Sequence, residues 1–64
     1  MKDYKVEAFY IFGKTKPKYF QTREKAEEYA ETIQSKYGAD IFVLHRDRQS
    51  QYPNFWYAVK HIVK

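Results

Sequence analysis

Only one stretch of this chain has the periodicity of a helix, and that limits the available folds more than any other feature. Within Gln21–Tyr37 the apolar residues Ala26, Tyr29, Ala30, Ile33 and Tyr37 recur at helical spacing and form a single stripe. Thr22 stands where an N-cap hydroxyl accepts hydrogen bonds from first-turn amides, and Gly38 suits the left-handed turn that ends a helix. Lys25 occupies the place where Glu or Gln would complete a capping box. Glu24, Glu27, Glu28, Glu31 and Gln34 make the opposite, solvated face.

The remainder reads as strand. Lys5–Phe12, Asp40–Arg46 and Phe55–Val63 are rich in Val, Ile, Phe and Tyr, and Arg48–Asn54 is a polar link short enough for an antiparallel hairpin. Gly13–Pro17 reads as a turn leading to an optional short edge strand at Lys18–Phe20, where alternating Lys14, Lys16 and Lys18 would guard the edge. The order is therefore β-α-β-β, with room for one more strand before the helix. If the helix simply returns the chain, the first two long strands run parallel. The third then lies between them, giving a strand order of 2-3-1 or its mirror. The expected fold is an α+β two-layer sandwich: an antiparallel three-stranded sheet with one helix, about residues 22–37, on one face.

With 64 residues the chain makes one domain, residues 1–64, that buries roughly 60% of the surface its unfolded form exposes. The absence of Cys excludes disulfides and Cys-ligated zinc. No apolar run reaches the roughly 18–20 residues that span a bilayer, and the charged start lacks a signal-peptide core, so no membrane association and a cytoplasmic location are expected. The formal charge is +4. Gln21–Tyr37 holds three cations and four anions, a balance of −1, so the rest of the chain carries +5. Such a balance favours an anionic partner.

One helix covers one face of a sheet, which makes the other face the place to look for function. Strand alternation puts Lys5, Phe9, Ile11, Phe42, Leu44, Arg46, Trp56, Lys60 and Ile62 on the uncovered side, with any bulge swapping the residues beyond it. A face this apolar calls for a cover: nucleobases, another protein or a second copy of the chain. On the first reading Phe9, Phe42 and Trp56 stack bases, while Lys5, Arg46 and Lys60, with Lys14, Lys16, Lys18 and Arg48 from the loops, meet phosphates. About four such contacts give a salt slope near −3 on a single strand. On the alternative reading the same face docks on a protein with an acidic surface, as a regulator or inhibitor, possibly as a homodimer. Sheet aromatics also serve simply as packing.

Enzyme chemistry has little to build on. His45 and His61 fall on different strands, with His45 expected opposite Trp56 and His61 near Asp40, and Ser50 is the candidate hydroxyl nucleophile. A His61–Asp40 pair reads as a surface ion pair before it reads as a general base. Two His without a third ligand define no metal site, and no cofactor is expected. A non-enzymatic binding module follows as the expectation.

Three resemblances accompany these residues. The aromatic and basic sheet face is similar in physical logic to RNA-recognition-motif domains, which stack bases on sheet aromatics. The stretch from Tyr19 to Ala30 looks like the strand-to-helix junction of peptidoglycan-binding sporulation-related repeats and of tyrosine-recombinase arm-binding domains, with an aromatic closing the strand, Thr capping and Ala facing the sheet. The compact βαββ layout resembles small phage proteins that bind and block host enzymes. None of the three transfers a residue role to this chain.

Overall fold

A computed structural model describes residues 2–10, 13–37 and 40–63. The elements are β1 (Tyr4–Tyr10), β2 (Gly13–Lys14), β3 (Lys18–Phe20), α1 (Arg23–Tyr37), β4 (Asp40–Arg46) and β5 (Trp56–Ile62). They form one helix packed on an antiparallel five-stranded sheet, an α+β globule. Thr22 caps the helix, its Oγ1 accepting a hydrogen bond from the Lys25 amide at 3.3 Å. Ile11 and Gly38 lie outside the described residues, and the Tyr37 side chain is likewise not described.

Strand order is β2–β1–β4–β5, with β3 on the same edge of β1 as β2. This corrects the expected 2-3-1 arrangement, because the middle place belongs to the second long strand. The reason lies in β3. It already turns the chain back beside β1, pairing Lys5 with Tyr19, so the helix reverses direction a second time and β4 arrives antiparallel to β1.

The edge strand is interrupted for a local reason. β2 pairs Phe9 with Lys14, whereas β3 pairs Val6 with Lys18, so residues 15–17 face only Glu7 and Ala8. Pro17 has no amide to contribute. Thr15 instead donates its amide to Ala8 O (2.9 Å), and its Oγ1 accepts from the Ala8 amide (3.2 Å).

Between helix and sheet, Val6, Ala8, Ile41 and Val43 meet Ala26, Ala30 and Ile33 in the buried core. Alanines on the helix let it sit close to the sheet, and Tyr4, Phe20, Tyr29, Val59 and Ile62 close the margins. Each fully buried Val or Ile contributes about 1.5–3 kcal/mol.

One irregularity decides which residues face outward. The β4–β5 register shifts between Val43 and Leu44: Val43 pairs with Lys60 but Leu44 with Ala58, leaving Val59 as a bulge. Every β5 residue beyond it changes face. Lys60 and Ile62, expected on the open side, therefore lie on the helix side. Lys60 Nζ reaches Glu27 Oε1 on α1 at 2.9 Å, and Ile62 packs against the core.

Candidate interaction face

The uncovered side of the sheet carries Lys5, Glu7 and Phe9 from β1, Lys14 from β2, and Tyr19 from β3. Asp40, Phe42, Leu44 and Arg46 come from β4, and Trp56, Ala58 and His61 from β5. These side chains touch one another in an unbroken sequence. Asp3 pairs with Arg46 (Oδ1 to Nε, 3.5 Å), and the Arg46 guanidinium lies 4.7 Å from the Trp56 ring centre. Lys5 Nζ stands 4.6 Å from the same ring and 3.3 Å from Glu7 Oε1. Glu7 Oε2 in turn holds Lys14 Nζ at 3.3 Å, beside the Phe9 ring. Phe9 meets Phe42 edge to face, with centroids 5.3 Å apart. His61 stacks on Phe42 at 4.2 Å and an interplanar angle of 7°, and its Nε2 lies 3.8 Å from Asp40 Oδ1.

The tiling covers much of the apolar surface that a one-helix sheet leaves on its reverse face: cationic heads stand over the Trp56 and Phe9 rings, and acids neutralise the cations. Glu7 is buried and Lys5 mostly covered, with side chains 9% and 16% exposed. A cation over an aromatic adds about 0.5–2 kcal/mol, depending on how far it is desolvated. At the hairpin end Arg48 also hydrogen-bonds Asp3, so one carboxylate serves two guanidiniums. That hydrogen bond, together with the positive charge of Arg48 and Arg46, holds the Asp3 carboxyl below its ordinary value despite the opposing effect of burial.

Six of the ten residues expected to bind a partner meet on this face: Lys5, Phe9, Lys14, Phe42, Arg46 and Trp56. Arg48 lies at its end. Lys60 belongs to the helix side, and so does Lys18, whose Nζ sits 5.2 Å from the Tyr29 ring centre on α1. Lys16 is exposed at the edge irregularity. The three loop lysines therefore do not share one face, because residues 15–17 stand opposite only two residues of β1 and the extra residue puts Lys14 and Lys18 on opposite sides of the sheet.

Glu7 shares parity with Lys5 and Phe9 but is not among the residues expected to bind; its burial and its two lysine partners make it the link between β1 and β2 on this face. Tyr19 and His61 joined the face through the β3 pairing and the bulge. His45 pairs with Tyr57, not Trp56, one residue from the expected register. Its ring stacks on Tyr4, and its Nδ1 lies 3.1 Å from Asp3 O. Among the described residues, no three His, Asp or Glu converge in a way that could hold a metal ion. None of the described helices is long and apolar enough to cross a membrane. Comparison with known protein families, curated proteins and solved structures finds no match to this chain.

Proposed function

We propose that this chain is a small binding module without catalytic chemistry of its own, and that its open sheet face docks on a protein. The tiling of that face is the observation that carries the reading. Base stacking needs a free ring face, yet His61 covers one face of Phe42, and Lys5 and Arg46 crowd Trp56. Phosphate binding needs uncommitted cations. Here Lys5, Lys14, Arg46 and Arg48 face Asp3, Glu7 and Asp40, a local balance of only +1 with His61 neutral. A nearly neutral surface of fixed aromatic edges and arginines matches what protein partners bury. The net charge of the whole molecule then steers encounter with an acidic partner.

Nucleic-acid binding is the second reading, favoured by the net charge of +4 and by exposed Lys2 and Lys16. The emission of Trp56, the chain's single tryptophan, separates the two. Titration with oligothymidylate or oligouridylate should leave it unchanged at low and high salt. Quenching that weakens with salt at a slope near −3 would instead establish the second reading. For the first, a partner recovered after nuclease treatment should bind the wild-type chain and lose affinity for Phe9→Ala. Equal binding by both would remove the sheet face from the interface. Sedimentation that shows a dimer would make the cover a second copy.

A further inference from the structure

Beyond the sheet face, the β4–β5 loop presents two large aromatic side chains that nothing in the fold requires. Tyr52 and Phe55 are 67% and 63% exposed and belong to no core cluster. A hairpin loop needs turn-forming residues, and these are supplied separately. Asp47 opens the loop by accepting the Gln49 amide at its Oδ1 (2.9 Å), while its carbonyl accepts the Ser50 amide (3.2 Å) and the Ser50 hydroxyl (2.7 Å). Ser50 Oγ then accepts the Tyr52 amide (3.3 Å). Pro53 and Asn54 form a second turn, closed by the Phe55 amide donating to Tyr52 O at 3.1 Å. Proline presets that turn, and Asn54 adopts no positive φ. The two rings therefore sit at the ends of one fixed turn, with the backbone ordering already accomplished before any partner arrives. Rigid aromatics among Ser, Gln and Asn are how antibody loops gain affinity at low entropic cost.

Charge narrows the occupant. The chain is 31% charged, yet Gln49–Val59 contains no charged residue at all. A loop without a cation has nothing to meet a phosphate. Around its base stand Lys2, Arg46 and Arg48, with Arg46 Nη2 reaching Lys2 O at 3.5 Å. Asp3 and Asp47 stand against these three cations, Asp3 held by both arginines and Asp47 in its own turn, so the base keeps a balance of +1 within a molecule of +4. We infer that Tyr52 and Phe55 are the anchors of the docking, inserting into an apolar cleft that a protein partner rims with carboxylates. This inference rests on the protein-docking reading above and adds the loop to the sheet face as the place of its two anchors.

Photo-crosslinking benzoylphenylalanine placed in the full chain at Tyr52, at Phe55 and, as control, at Glu28 on the helix tests it in cells of the source. Positions 52 and 55 should capture the same nuclease-resistant protein, and position 28 should not. That protein, purified, should bind Tyr52→Ala and Phe55→Ala at least about tenfold more weakly than wild type and Gln51→Ala within about twofold. The thermal melt should stay the same, since neither ring is packed. Adducts with nucleic acid or with a second copy, no adduct, or equal capture at position 28 would overturn the inference. Binding that survives both loop variants but fails in Phe9→Ala would overturn the loop as anchor while leaving the sheet face as docking surface.

Discussion

Glu7 shows what a single side chain can carry in so small a fold. Its carboxylate joins Lys5 and Lys14 across the open face, and it is nearly enclosed. Truncation would strand the ammonium of Lys5, itself mostly covered, beside Trp56. Glu7→Ala should therefore cost about 1–3 kcal/mol in urea denaturation. Glu7→Gln, which keeps shape and some hydrogen bonding, should cost less. Gly13 makes a different demand, because its φ of +149° suits glycine alone, although a Cβ would meet nothing within 4 Å. Gly13→Ala should lose about 1 kcal/mol through backbone strain with no steric clash, readable as an unchanged denaturant slope with a lower midpoint.

At the scale of elements, the helix was legible because its signals are local: a capping Thr22, an alanine stripe and an acidic outer face. Removing the cap hydroxyl in Thr22→Ala should cost about 1 kcal/mol, visible as a lower melting temperature with an unchanged circular dichroism spectrum. Strand faces were legible only as far as the first irregularity. Alternation placed Phe9, Phe42, Arg46 and Trp56 correctly and misplaced Lys60 and Ile62, because Val59 adds a residue that no local signal marks. Deleting Val59 should let Ala58 and Lys60 follow each other in a regular ladder opposite Leu44 and Val43, keeping Lys60 by Glu27 and Ile62 in the core. The variant should still unfold cooperatively, with a lower urea midpoint for the lost Val59 packing.

Across the whole molecule, the ion pairs tie distant parts of the chain together. Asp3 holds Arg46 and Arg48, and Glu27 on α1 holds Lys60 on β5 as well as Arg23. Both carboxyls are held below their ordinary values of 3.8 and 4.5, chiefly by hydrogen bonds from Arg48 and Lys60 respectively. A lowered folded-state pKa means that the unfolded chain takes up the proton first. The stabilisation is complete above the ordinary values and disappears as pH falls through the lowered ones. Melting temperature should thus be flat near neutrality and begin to fall below pH 4.5, then further below 3.8. Asp3→Asn should flatten the lower part of that fall, and added salt should weaken it, since both sites reach solvent. An unaltered acid limb in the variant would show that the Asp3 pairs contribute nothing.

By itself the sequence determined that there is one helix, where it starts, which of its faces is acidic, and that the sheet must keep one side uncovered. Those properties depend on residues within a few positions of one another. Tertiary structure decided the rest: β4 in the centre of the sheet, Lys18 and Lys60 on the helix side, and an open face tiled by alternating acid, cation and ring. Such features follow from how many times the chain reverses and where one extra residue enters a ladder. Both are set by pairing across long sequence separations, where a shift of a single residue exchanges one face for the other.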